Sequence, residues 1–172
     1  RRAPHSLHCY LELHIEQGGI LEKAGIPIGV VDGIVSIDEY DVEVRGFANH
    51  AGTTPMGERR DALLAAARVV EAVREIATRT SGRQVGTVGR FEVFPSAPNV
   101  IPGLVKLSVE FRDLSAGTIA RLGEETAARL QQIAKETGTE ISMVRAPHDD
   151  PALADVRIQQ QLEDAAATLR LK

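Results

Sequence analysis

Aromatic side chains are scarce in this chain: four Phe, two Tyr and no Trp among 172 residues. A surface that grips bases by stacking needs several such rings, so a base-stacking nucleic-acid binder is disfavoured. Charge of one sign is also lacking. The net charge of −4 leaves no basic footprint for a phosphate backbone or an anionic membrane. The single cysteine, Cys9, can close no internal disulfide, which fits a reducing, cytoplasmic location. No apolar run approaches the roughly 20 residues of a membrane span, and no charged-then-apolar leader resembles a signal peptide. Neither nucleic acid nor membrane is therefore expected as a partner. An initiator Met is missing as well; the chain starts at Arg1 and is expected to be a piece of something longer.

What the chain does have is a globular composition. Hydrophobic residues make up 43% and charged residues 26%, enough for a real core and against disorder. The length suits one medium domain, or one domain carrying pieces of another. At the start, Leu7, Cys9, Leu11, Leu13 and Ile15 alternate with polar residues, which predicts a strand. "ILEKAG" predicts a short helix stopped by Gly25 and Pro27, and "IGVVDGIVSI" a buried or linking strand.

From Tyr40 a more compact pattern begins. "YDVEVRGF" alternates as a half-buried strand. "RRDALLAAARVVEAVREIATRT" predicts a helix with Leu63, Ala67, Val70, Val73 and Ala77 on one stripe. "VGTVGRFEVF" predicts a second strand. In "LVKLSVEFRDL", Val105, Leu107, Val109 and Phe111 point one way, and Lys106, Ser108, Glu110 and Arg112 the other. Ser115 can cap a helix with the stripe Ile119, Leu122, Thr126, Leu130 and Ile133, stopped at Gly138. "TEISMVRA" supplies a fourth strand. The order β-α-β-β-α-β predicts an α+β, ferredoxin-like unit: a four-stranded antiparallel sheet with two helices on one face and Arg112 on the other. Past Pro147, Ile158, Leu162, Ala166 and Leu169 mark a further amphipathic helix with no visible partner. The expected division is 1–38, 39–146 and 147–172, the flanks being partial segments of a second domain.

Four stretches carry possible chemistry. "ELHIEQG" sets His14 between two glutamates; it is either a metal ligand or a polar residue at a strand end, since zinc normally needs three or four ligands. "FANHAGTTPMGERRDAL" follows a strand, carries His50 beside small residues that let a backbone approach a ligand, and ends at a helix start. It is also readable as a plain polar turn. "SAPNVIPG" uses Pro98 and Pro102 to stiffen a loop that holds Asn99. Arg112, thirteen residues after Asn99, is either a solvated cation or a two-pronged grip on a carboxylate.

In this order, "ELHIEQG", "NHAGTTPM…R.DAL", "APNVIPG" and "VEFRD" resemble the dinuclear zinc amidohydrolases that include N-carbamoyl-L-amino-acid hydrolases, allantoate amidohydrolases and β-alanine synthase. These are relatives of aminoacylase and carboxypeptidase-type metallopeptidases. The resemblance implies that residues 39–146 are the lid, or dimerisation, domain of such an enzyme. It implies His14 as a metal ligand, and His50 as the lid histidine that enters the other subunit's active site and polarises the substrate carbonyl. It implies Asn99 and Arg112 as substrate-holding residues, with Arg112 taking the carboxylate. Two Zn2+ ions per active site are implied for the full-length enzyme (Mn2+, Ni2+ or Co2+ being possible), together with a homodimer and a carboxylate-bearing carbamoyl or ureido substrate.

Departures from the pattern bear on function. The family's other metal ligands and catalytic base are absent from these residues, so the piece by itself is expected to be inactive and to hold no metal tightly. Glu124-Glu125 reads as a solvated helix face and His148-Asp149-Asp150 as a turn. Where many relatives carry Gly-Gln-Arg-Arg-Tyr, this chain has Ser36-Ile37-Asp38-Glu39-Tyr40; Ile37 in place of Gln argues against allantoate in particular. The rival reading is a stand-alone, non-catalytic dimerisation or small-ligand-binding module of the same fold.

Overall fold

The computed structural model describes residue 3 and residues 6–171. It divides into two units, Gly33–Leu153, and Arg1–Asp32 with Ala154–Lys172. The expected 39–146 segment lies inside the first.

In chain order the elements are α1 (Ile20–Ala24), β1 (Gly33–Ile34), β2 (Ser36–Arg45), β3 (Asn49–His50), α2 (Ala62–Arg79), β4 (Val85–Phe94), β5 (Val100–Ile101), β6 (Leu104–Asp113), α3 (Ala116–Thr137), β7 (Glu140–Arg145), β8 (Ala152–Leu153) and α4 (Val156–Thr168). Two small pairings and one sheet result: β1 with β8, β3 with β5, and an antiparallel four-stranded sheet ordered β4-β6-β2-β7. Sequence order β2-α2-β4-β6-α3-β7 with that spatial order is the ferredoxin-like arrangement.

Period-two patterning builds the sheet. Val105, Leu107, Val109 and Phe111 on β6 are fully buried, as are Val42 and Val44 on β2, and they meet Val69, Val73, Leu122, Leu130 and Ile133 from the two helices in one core. Both helices therefore cover the same sheet face. Asp61 caps α2 by accepting from the N–H groups of Leu63 and Leu64, and Ser115 caps α3 by accepting from Thr118. Gly138 ends α3 in the left-handed conformation (φ 64°), and Gly25 ends α1 in the same way.

Three expectations need correction. The alternating stretch Leu7–Ile15 forms no strand: Leu11, Leu13 and Ile15 are exposed, because alternation becomes a strand only beside a pairing neighbour and none stands there among the described residues. β2 starts at Ser36 rather than Tyr40, with Ser36 and Asp38 continuing its buried parity. The α2 stripe is also displaced. Ala62, Ala65, Ala66, Val69, Ala72, Val73, Ile76 and Ala77 face the core, whereas Leu63, Ala67 and Val70 face outward. Small alanines let α2 lie close to the sheet, and the larger side chains are left as a second, external apolar stripe.

Candidate functional site

At the end of the sheet marked by Arg45 and Leu104, the chain leaves β2 at Gly46, whose N–H donates to the Gly103 carbonyl at 2.9 Å. A Cβ on Gly46 would lie 2.0 Å from the Arg60 carbonyl oxygen and 2.9 Å from the Ala62 nitrogen, so only glycine permits this approach of two backbones. The next residues form β3, which pairs His50 with Val100 and Asn49 with Ile101 of β5. The Ala51 N–H donates to the Asn99 carbonyl at 2.9 Å. The loop of His50 and the loop of Asn99, 49 positions apart in sequence, are thus laced into one small platform, and both residues are exposed.

The surroundings of His50 decide what it can do. The Gly52 N–H donates to His50 Nδ1 at 3.0 Å. Because a backbone N–H can only donate, Nδ1 is the acceptor and the neutral ring carries its proton on Nε2. Gly52 is suited to this position, since a Cβ there would come within 3.1 Å of His50 Cε1. The His50 carbonyl accepts from Thr54 twice, from N–H at 3.2 Å and from Oγ1 at 2.7 Å. Behind the loop, half-buried Arg59 donates to the Ala51 carbonyl at 2.7 Å and to the Thr54 carbonyl at 3.0 and 3.1 Å. The result is an outward Nε2–H donor on a braced loop, the kind of group that can stabilise charge developing on a carbonyl oxygen.

Arg112 is not part of this platform. It lies near the other end of β6, eight residues beyond Leu104; at ~3.4 Å per residue the separation along the strand is about 27 Å. Its cross-strand neighbours are Ile37 on β2 and Val85 on β4, both exposed. Arg112 Nε donates to Glu110 at 2.6 Å, and this hydrogen bond raises the pKa of the guanidinium. With the Nε side held by Glu110, the terminal nitrogens are the edge available to a carboxylate. One row further along, Glu110 faces Glu39 directly, so the ground around Arg112 is aliphatic on both flanks and acidic behind.

His14 belongs to the other unit, in an exposed stretch outside any helix or strand. Its Nδ1 donates to the Ile15 carbonyl at 2.6 Å, which turns the Nε2 lone pair outward as a ligating imidazole requires. Glu16 is engaged otherwise, accepting from the N–H groups of Ile20 and Leu21 at the start of α1. Among the described residues no three His, Cys, Asp or Glu side chains stand close enough to hold a metal ion. One oriented imidazole does not make a two-zinc centre. Glu125 is taken up by Arg79 and Arg121 on the helical surface, and the Asp149 carbonyl accepts from Ser36 Oγ at 2.7 Å, tying that turn to β2.

Sequence reasoning did not assign the roles of Arg59, Gly52 or Asp38. The first two stand inside the quoted His50 motif, but their hydrogen bonds are a property of the folded loop. Asp38 is fully buried and bonded by Arg145 Nε at 2.6 Å and Tyr40 Oη at 2.7 Å; its burial could have been inferred by extending the β2 parity back from Tyr40. Burial, and then the bond to Asp38, push the Tyr40 phenol up to about 12.

Residues 33–138 match the peptidase dimerisation domain, and the chain belongs to that family. It is 40% identical over 168 residues to an N-carbamoyl-L-amino acid amidohydrolase of Geobacillus stearothermophilus, covering 98% of this chain and 41% of that protein. It is 38% identical over 130 residues to an allantoate amidohydrolase of Escherichia coli, covering 76% of this chain and 32% of that protein. A crystal structure of a hydantoinase/carbamoylase family amidase from Burkholderia multivorans superposes with a TM-score of 0.89 at 35% identity, covering 92% of this chain and 38% of the other. The chain spans about two fifths of the length of such relatives.

Proposed function

We propose that this segment serves a longer amidohydrolase that cleaves the C–N bond of N-carbamoyl amino acids or related ureido acids, and that it acts there as substrate-gripping lid and dimerisation domain. Arg112 takes the substrate carboxylate, with Ile37 and Val85 beside it favouring an aliphatic substituent over a second polar one. His50 Nε2–H donates to the carbonyl oxygen and follows it as it becomes an oxyanion. Asn99, on the same platform, holds the polar end of the substrate. His14 is one ligand of a zinc centre whose other members lie outside the described residues, and a cytoplasmic location accords with the lone cysteine.

The observation that carries this reading is that Arg112 lies about 27 Å along β6 from Leu104, the end of the sheet at which the His50–Asn99 platform is built. A small ureido acid cannot reach both ends of one lid. Two lids related by a two-fold axis can offer opposite ends to a single substrate, so His50 and Asn99 act on the partner's substrate. The means of pairing is at hand. β4 is an edge strand with unpaired backbone groups, α2 packs beside it, and the outward stripe Leu63, Ala67 and Val70 gives an apolar patch for an isologous contact.

The test is subunit complementation in the longer protein. A His50→Ala subunit mixed with a His14→Ala subunit should regain activity, because one site of the heterodimer keeps both histidines. Heterodimers that form and stay inactive would refute action in trans.

A further inference from the structure

Two arginines stand side by side at the end of the His50 loop and do opposite things. Arg60 spreads over the Phe47 ring, 5.4 Å from its centre, on the outside. Arg59 turns inward and is wrapped by residues 51–54 of the loop. Its three hydrogen bonds all go to backbone carbonyls, those of Ala51 and Thr54. Between those two carbonyls lies Gly52, whose N–H sets the tautomer of His50, and the second carbonyl belongs to Thr54, which holds the His50 carbonyl. The far end of the chain of contacts is rigid: Arg59 precedes by two residues Asp61, the cap that anchors the buried start of α2.

We propose that Arg59 is a positioning residue: its guanidinium fork holds the 51–54 loop in the shape that keeps His50 in the Nε2–H tautomer with that donor facing outward. The reason lies in geometry rather than charge. Nη2 donates to both the Ala51 and Thr54 carbonyls and Nε adds a second bond to Thr54, so the rigid plane of the guanidinium fixes the two carbonyls relative to each other. An ammonium on a flexible lysine stem has no Nε and no plane to fix them. Without the fork the loop carbonyls turn to water, the Gly52 N–H leaves Nδ1, and the ring is free to carry its proton on either nitrogen.

The consequence for turnover rests on the reading of His50 given above, but the tautomer does not, so the two are tested separately. In this chain, long-range proton–nitrogen NMR spectra at about pH 9, where imidazoles are neutral, report which ring nitrogen of His50 carries the proton. A His50→Gln variant assigns its signals among the five histidines. The wild type is expected to show Nε2–H predominantly. Arg59→Ala should show both tautomers, with partial return on adding guanidinium at non-denaturing concentration. Arg59→Lys, which keeps the stem and the charge, should also show both, and it carries the test if Arg59→Ala does not fold. Wild-type tautomer signals in folded Arg59→Ala or Arg59→Lys would overturn the proposal. In the longer enzyme the same variants should lower kcat by about 10–100-fold, as for a displaced catalytic donor, with KM changed less than kcat; a loss confined to KM would overturn it. If that enzyme hydrolyses no carbamoyl or ureido acid, the functional reading fails while the tautomer measurement still decides the role of Arg59.

Discussion

Gly123 lies in α3 directly over the tyrosine that serves the buried carboxylate. A Cβ at this position would stand 2.2 Å from Tyr40 Oη and 3.1 Å from Cζ. Gly123→Ala therefore sets two effects against each other. In an isolated helix the change would stabilise by about 1 kcal/mol. Here it must displace the hydroxyl that donates to Asp38 Oδ2 at 2.7 Å, and Asp38 is fully buried. Losing a hydrogen bond to a charged buried group costs about 1.5–3 kcal/mol, and the added methyl crowds a filled core for about 1–3 kcal/mol more. The unfavourable terms win by about 1.5–5 kcal/mol, a fall in melting temperature of about 5–20 °C for a unit of this size. Tyr40→Phe removes the obstructing oxygen, leaving only the 3.1 Å contact, which a shift of a few tenths of an ångström relieves. In that background Gly123→Ala should be within about 1 kcal/mol of neutral. The assay is a double-mutant cycle by urea unfolding of the four proteins, followed by far-UV circular dichroism. A single mutant as stable as the wild type, or an equal effect of Gly123→Ala in both backgrounds, would show that the Tyr40 hydroxyl is not wedged between α3 and Asp38.

Other outcomes follow from the same structure. Tyr40 is protonated in the folded state up to about pH 12 against 10 for a free phenol. The native state then binds more protons than the unfolded one between these values, so its stabilisation is full below pH 10 and is lost as pH rises through 12. Unfolding midpoints of the wild type should fall towards those of Tyr40→Phe over this window, and a constant difference would contradict the assignment. Gly46→Ala should leave little folded protein, since its Cβ meets backbone rather than a movable side chain; a near-wild-type melting curve would be the contrary result. Arg112→Lys in the longer enzyme should lower kcat/KM for carboxylate substrates by the equivalent of about 1–3 kcal/mol with metal content unchanged; an unchanged kcat/KM would count against Arg112 as the anchor. Val70→Glu, which charges the outward stripe of α2, should shift the lid towards monomer in sedimentation while the fold persists, and an intact dimer would move the interface elsewhere.

The order of elements was legible in the residues alone because each half-buried strand and amphipathic helix writes its period into the chain. Phe111, Leu107 and Val105 alternate with polar neighbours, and Ser115 and Gly138 mark the ends of α3 by capping chemistry that is local. The candidate residues His14, His50, Asn99 and Arg112 could be singled out in the chain, but the residues alone left each of them open between a functional and a plain reading, and their roles come from the family resemblance. Local period does not say which of two apolar stripes faces inward. On α2 the alanines do, because the sheet sets the distance of approach, and Leu63 and Val70 are left outside. Nor does Leu7–Ile15 become a strand by alternation, since a strand needs a partner to receive its hydrogen bonds. Above all, spacing in sequence does not measure distance in space. Asn99 and Arg112 are thirteen positions apart, yet Asn99 belongs to the platform beyond the Leu104 end of β6 and Arg112 lies near the strand's other end, while His50 and Asn99, far apart in the chain, share that platform. Strand pairing decides that, and register is a tertiary property: it depends on which backbone lies alongside, which no single stretch of residues contains.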